Sequence, residues 1–440
     1  MESKKFMGHP VGLFVLFFTE LWERFSFYGM KAILVLYMVA SIEKGGLGWS
    51  NAKGLEIYGW YNMLVYVMAI PGGIIADRYL GQRKSVYLGG LLLCAGHLLL
   101  AYPPEAAFFS ALGLIVLGVG LLKPNISTMV GELYPDGDAA KDAGFTIFYM
   151  GINIGAFFSG IAVGWLAYKY GWHYGFGLAG IGMIIGQIVY AYGQKYLGTA
   201  GLKKNVCIDA ATSRPVKCEF TAVEKRKIGL VIFSFLIVIV FWAAFEQAGG
   251  LMSLYTEQFT SRDLFGFTIP TAWFQSLNPF YIMIFAPVVA SFWIMLSRIG
   301  KEPSALTKMG LGTMILGIGF LFMVGASVER GGDELAKSSM LWLCLAYFFH
   351  TIGELALSPV SLSFITNMAP KRMTSQVMGW YFAVTGIAGY FASKIGIFAE
   401  TAGELKVFGL IAGFTMFFGI LLMIIAPKIN KIADIHRTDG

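Results

Sequence analysis

Charge is what this chain has least of. Of 440 residues only 13% are Asp, Glu, Lys or Arg, against 57% hydrophobic, and the mean hydropathy is +0.67. Soluble globular domains carry about 25% charged residues, so a water-soluble fold is excluded. Cysteine is scarce too. Four cysteines in the whole chain cannot staple a secreted disulfide scaffold, and they read as free thiols with no metal site. No GxxxxGKS/T segment occurs, which disfavours ATP as an energy source. No separate signal peptide is expected, because the n-region is short, the first apolar stretch is too long and no small-residue cleavage site follows it. The same composition excludes collagen-like, coiled-coil and disordered chains.

What is abundant is glycine, with 55 residues, and long apolar runs. Crossing about 30 Å of hydrocarbon takes roughly 20 apolar residues in a helix. Twelve stretches qualify: residues 12–40, 54–76, 85–103, 107–131, 143–167, 175–197, 228–252, 273–297, 306–328, 339–364, 375–399 and 404–427. Charge interrupts the first, yet its apolar flanks keep it long enough to span. With the N-terminus inside, most of the 33 basic residues fall in inner segments, among them Lys4, Lys5, Arg78, Arg83 and Lys84. That bias puts both termini in the cytoplasm. It also accounts for the formal charge of +7, which is topological and not a nucleic-acid footprint.

The longest polar connection, 198–227, divides the chain into six spans (1–197) and six spans (228–440). Two six-helix halves joined by a cytoplasmic linker are the layout of a repeat-built secondary transporter. The expected fold is therefore an all-α polytopic membrane protein with 12 transmembrane helices. Linker residues Cys207 and Cys218 would lie in a reducing compartment, while Cys94 and Cys344 fall within spans.

Ionisable groups inside a bilayer are costly, so each is a functional candidate. Seven lie deep within spans: Glu20, Glu23, Arg24 and Lys31 in the first, Lys123 in the fourth, Glu246 in the seventh and Glu354 in the tenth. At helical spacing the first-span set and Tyr28 share one face, which must look into protein or a water-filled cavity. Four acids against three bases leave one surplus acid. Such a group can exchange a proton for a salt bridge, which a proton-coupled carrier requires. Static ion pairs locking helices are the other reading, but buried pairs are poor stabilisers beside apolar packing.

These residues resemble a known family. Gly73-x-x-x-Asp77-Arg78-x-x-Gly81-x-Arg83-Lys84, between spans two and three, looks like the signature loop of the major facilitator superfamily, with a weaker echo at Pro370-Lys371-Arg372. Glu20-Leu-Trp-Glu23-Arg24-Phe25-Ser-Phe27-Tyr28-Gly29 is similar to the ExxERFxYY motif of proton-dependent oligopeptide (POT) transporters. Phe145-Thr-Ile-Phe148-Tyr149-Met-Gly-Ile-Asn153-Ile-Gly155 resembles the family's second signature. Further matches are Lys123-Pro124-Asn125, Phe241-Trp242-Ala-Ala-Phe245-Glu246-Gln247 and Gly353-Glu354-Leu-Ala-Leu-Ser358-Pro359. The resemblance runs over essentially the whole chain.

It implies a major facilitator fold and a symporter that imports di- and tripeptides across the inner cell membrane, driven by protons and without another cofactor, as a monomer. By position, Glu20, Glu23 and Arg24 would form the proton-coupling cluster together with Glu246, with Lys123 facing it. Asn153, Asn278 and Glu354 would hold the peptide amino group, and Arg24 and Lys123 its carboxylate. Lys31 would pair with Glu246 in an extracellular gate, and Lys123 with Glu354 in a cytoplasmic one. Tyr28, Tyr66, Trp242 and Tyr381 would line side-chain pockets, where aromatics offer area with few polar demands. His350, one turn before Glu354, could join a relay but more commonly would be a satisfied core histidine. Asn278-Pro279 also reads as a helix-kink device.

The chain departs from the family pattern in several places. Phe27 replaces the first tyrosine of the motif, removing a hydroxyl that could touch peptide. Lys31 stands where arginine is usual, so its pairing becomes a point-charge contact. The linker has no apolar run long enough to add two extra helices. Span two has no histidine, so the proton site should rest on carboxylates. Competing readings keep the fold but carry another small solute (a nitrate-like anion or a drug), or bind peptide as a sensor without moving it. An enzyme is disfavoured, since no nucleophile–base set is visible.

Overall fold

The structure is a computed structural model that describes residues 5–135, 138, 140–203, 221–333, 335–370 and 373–434. Lys4, Cys207, Cys218, Lys371 and Arg372 lie outside the described residues. Twelve long helices follow one another: α1 (Val11–Val39), α2 (Asn51–Leu80), α3 (Gln82–Leu100), α4 (Glu105–Glu132), α5 (Ala140–Tyr170), α6 (Trp172–Tyr196), α7 (Ala222–Phe245), α8 (Ala272–Arg298), α9 (Ala305–Glu329), α10 (Met340–Met368), α11 (Thr374–Ala402) and α12 (Glu404–Asp434). Local chemistry sets many of their ends. Ser50, Ser304 and Ser339 accept backbone N–H bonds at helix starts, and Thr221 with Glu224 closes a capping box ahead of α7. Gly171 (φ 110) separates α5 from α6, and Gly403 (φ 84) separates α11 from α12. Single-residue joints at corresponding places in the two halves need the positive φ that glycine tolerates.

Ten of these helices are long and apolar enough to cross a membrane. The first and third of the twelve expected spans fall outside that set. The physical reason is their polar content: α1 carries Glu20, Glu23, Arg24 and Lys31, and the short α3 opens on Gln82-Arg83-Lys84-Ser85. Both helices nevertheless pack alongside the others, α1 against α5 and α6, and α3 against α4 and α6.

The packing repeats. The α1–α5 pair corresponds to α7–α11, α3–α4 to α9–α10, and α3–α6 to α9–α12. Exchanging each helix for the one six places on also maps the α2–α11 contact between halves onto α8–α5, as a pseudo-two-fold axis requires. One hydrophobic core draws mainly on residues from Leu13 to Leu197, and a second on residues from Ile237 to Ala426. The seventh expected span, 228–252, is broken: α7 ends at Phe245, turns through Glu246–Ala248 and resumes as Leu251–Phe259. The Gly249-Gly250 pair that loosens this joint is visible in the sequence.

Candidate functional site

The charged face of α1 is buried. Glu20, Glu23, Arg24 and Lys31 are between 0% and 7% exposed. Arg24 Nε stands 2.9 Å from Glu20 Oε1 and 2.5 Å from Glu23 Oε2, so one guanidinium is shared by two carboxylates. Glu20 and Arg24 are one helical turn apart, the spacing at which such pairs meet. Further along α1, Lys31 Nζ donates to Glu246 Oε2 at 2.9 Å. Glu246 reaches this position because α7 breaks there. Asn62 Nδ2 of α2 donates to the same oxygen at 3.2 Å, and the Lys31 ammonium lies 5.8 Å over the Tyr58 ring. Neither Asn62 nor Tyr58 stood out in the sequence.

A cavity of about 250 Å³ lies between the halves, near the lower end of small-molecule sites, roughly 300 Å³. From the first half, Tyr28, Lys31, Tyr66 and Asn153 line it. From the second come Trp242, Glu246, Asn278 and Glu354. Asn278 Nδ2 donates to Glu354 Oε2 at 2.8 Å and to Thr351 Oγ1 at 3.1 Å. This holds the carboxylate at the wall. Asn153 Nδ2 donates to the Tyr149 carbonyl at 3.0 Å. The wall also includes Tyr149, Gln275, Tyr347, His350 and Ser358. The signal for three of these was present: Tyr347, His350 and Ser358 lie at helical spacing on the face of Glu354. Gln275 had no such signal, since its place depends on a tertiary bond to Ser253 Oγ at 2.9 Å.

Several expected site residues stand elsewhere. Arg24 and Lys123 are not on the cavity wall. The Arg24 guanidinium is held by its two carboxylates behind Tyr28, 5.9 Å from that ring's centroid. The Lys123 ammonium sits 4.0 Å over the Tyr66 ring and 5.6 Å from that of Phe382. Lys123 and Glu354 do not pair, because Asn278 occupies the carboxylate and aromatic rings hold the ammonium. Tyr381 is also off the wall; its hydroxyl bonds Ser361 Oγ at 3.3 Å inside the second half. Phe27 is 2% exposed and packs edge-on against Tyr28 with ring centroids 5.5 Å apart. The hydroxyl missing at this position is therefore not missing from the cavity. His350 packs against Phe320, ring centroids 4.5 Å apart. Among the described residues no group of three or more His, Cys, Asp or Glu could hold a metal ion.

The POT family model matches residues 83–218 and 207–409. The chain belongs to the POT family. It is 37% identical to the uncharacterized transporter YclF of Bacillus subtilis, with 88% of each chain covered. It is 36% identical to the di-/tripeptide transporter of Lactococcus lactis subsp. cremoris, over 86% of this chain and 88% of that one. A solved mutant of a peptide transporter POT in complex with alafosfalin superposes with a TM-score of 0.90 at 38% identity, covering 98% of this chain and 97% of that chain. The POT fold thus accounts for the twelve helices and the cavity between halves, and this protein is a multi-pass membrane transporter. Its signature loop adds a local detail: Arg83 donates to the carbonyls of Gly198 (2.9 Å) and Ala200 (2.7 Å), which fastens the segment after α6 to the α2–α3 connection.

Proposed function

We propose that this POT-family protein imports di- and tripeptides across the cell membrane by alternating access, coupled to inward proton flow, with both termini in the cytoplasm. The observation that carries this reading is the cavity between the halves, whose second-half wall presents a fixed carboxylate, Glu354 held by Asn278, while the first half carries Lys31, Arg24 and Lys123 in and behind its wall. A zwitterionic peptide has opposite charges separated by one or two residues of backbone. Its ammonium would join Glu354, Asn278 and Asn153, and its carboxylate would be drawn towards Arg24 and Lys123 as Tyr28 and Tyr66 yield. Gripping both ends draws the halves together, so binding favours the occluded state.

In this orientation the α1–α2 and α7–α8 connections are outside. The Lys31–Glu246 pair then closes the outer mouth, and the separated Lys123 and Glu354 leave the inner gate unmade. Glu20, Glu23 and Arg24, with Glu246, would carry the coupling. Protonation of one of these carboxylates releases its cation and so loosens a contact that favours one conformation. The coupling ion is the proton, no organic cofactor or metal takes part, no covalent chemistry is performed, and the working unit is the monomer.

The deciding experiment is uptake of labelled dialanine into proteoliposomes, with and without an inward proton gradient. Accumulation above equilibrium that collapses with a protonophore is the expected result. Equilibration without accumulation would overturn the coupling assignment. Folded protein that moves none of several di- and tripeptides would overturn the substrate.

A further inference from the structure

The α7–α8 connection holds a feature the transport cycle does not use. Thr260–Ser261 runs parallel to Ser338–Ser339 ahead of α10. Asp263–Leu264 then pairs antiparallel with Phe267–Thr268 in a tight hairpin. The two turn residues are Phe265 (φ 51) and Gly266 (φ 82). A two-residue turn with positive φ at both positions normally takes Asn-Gly or Asp-Gly, and a bulky side chain in the left-handed region is strained.

The hairpin's polar groups are consumed within it or next to it. Thr268 Oγ1 donates to Asp263 Oδ1 at 2.5 Å. Arg262 pairs with Glu257 at 3.1 Å and donates to the Ile269 carbonyl at 3.1 Å. Ile269 N–H returns a bond to the Arg262 carbonyl at 2.8 Å, and Thr271 hydrogen-bonds Glu257. What remains at the tip is apolar. Phe265 is 102% exposed, Leu264 46% and Phe267 38%. Phe265 has no ring partner among the described residues, so packing within the protein does not account for a phenylalanine there.

Its surroundings do. Phe267 lies 5.5 Å from Trp165 of α5 and 5.7 Å from Trp273 of α8, and Trp165 lies 6.2 Å from Tyr168. These rings cluster where α5 ends and α8 begins. Tryptophan and tyrosine collect at that depth because their rings suit the boundary between headgroups and acyl chains. α8 is sparsely buried along its length, so its exposed side faces lipid. We propose that the α7–α8 hairpin is a membrane-interface anchor that seats Phe265, flanked by Leu264 and Phe267, in the headgroup–acyl boundary of the leaflet away from the termini. Lipid contact offsets the strain of the turn, and the Asp263 carboxylate, hydrogen-bonded by Thr268 one residue pair behind Leu264 and Phe267, stays on the headgroup side while the apolar tip enters the boundary. The anchor joins the Leu251–Phe259 segment, which follows the turn bearing Glu246, to α8, which carries Asn278, and so fixes the depth of two elements of the cavity wall. It rests only on the protein being membrane-spanning and not on the identity of the solute.

The test places Phe265→Cys and Leu264→Cys singly in a variant whose four native cysteines are serine, and attaches a nitroxide in phosphatidylcholine/phosphatidylglycerol vesicles. Power saturation then compares collisions with dissolved oxygen and with a water-soluble nickel complex. Glu43→Cys, in the α1–α2 connection, serves as the aqueous reference. The expected result at both hairpin sites is several-fold less nickel access than at Glu43, with oxygen access preserved. Nickel access equal to that at Glu43 would overturn the anchor. Shielding from both reagents would also overturn it, since that marks a protein partner on the tip. The Leu264 site keeps Phe265 in place, so the outcome does not depend on tolerance of a change at the strained position.

Discussion

Glu23 is the carboxylate to remove first. It is fully buried and shares the Arg24 guanidinium with Glu20. Glu23→Gln keeps its size and removes its charge. The expected outcome is loss of proton-driven dialanine accumulation with counterflow preserved. Retained accumulation would take Glu23 out of the coupling mechanism, and loss of both activities would give it a binding or folding role. Lys31 and Glu246 form a different kind of pair, bridging the halves at 2.9 Å with side chains 8% and 10% exposed. Removing one partner strands the other, a change worth about 3–5 kcal/mol at buried pairs. Lys31→Ala should therefore lower the thermal midpoint more than the double change Lys31→Ala with Glu246→Ala. A double variant less stable than either single one would contradict this.

Helix spacing in the first half depends on glycine at the α1–α5 contact. A Cβ on Gly155 would sit 2.3 Å from the Leu21 carbonyl oxygen, and one on Gly29 would sit 2.6 Å from Val163 Cγ2. The obstacle at Gly155 is backbone, so a methyl group there must push α5 away from α1. Gly155→Ala is expected to cost about 1–3 kcal/mol, as overpacking does, and to weaken dialanine uptake because Asn153 leaves the cavity wall with α5. Gly409→Ala on α12, where no atom lies within 4 Å, is the control that should leave the midpoint and uptake intact. Since alanine is the better helix former, equal losses at the two positions would mean that the close approach to Leu21 is not what requires glycine at Gly155.

Taken together, the two halves are bridged asymmetrically. The ion pairs between halves formed by described residues, Lys31–Glu246 and Lys394–Glu56, both lie towards the end away from the termini. Lys123 and Glu354 remain apart. The second pair is exposed, with side chains 42% and 47% accessible, and adds little by itself. Alternating access requires the opposite pattern at another stage. Spin labels at Thr128 on α4 and Thr366 on α10 should move closer when saturating dialanine is added in proteoliposomes, and Glu354→Gln should reduce that shift. An unchanged distance distribution with bound peptide would show that ligand does not draw the inner ends together.

Much of this was legible without coordinates. Long apolar runs separated by short polar connections mark membrane helices, because the bilayer demands the same length and composition of each crossing. Buried charges announced the site for the same reason, since only a protein interior or cavity tolerates them. Glu20, Glu23, Arg24 and Lys31 share a face by local periodicity, which needs no fold to compute. Partnership is another matter. Lys31 meets Glu246 across 215 positions of sequence, and Asn62 joins them from a third helix, so the trio depends on how two halves close. Glu354 is bonded to Asn278 within the second half, and its distance from Lys123 is set by how the two halves close. Composition and spacing determined the spans and the charged face, which obey rules acting within a few turns. The gate partners and the cavity wall were decided by the packing of helices far apart in sequence.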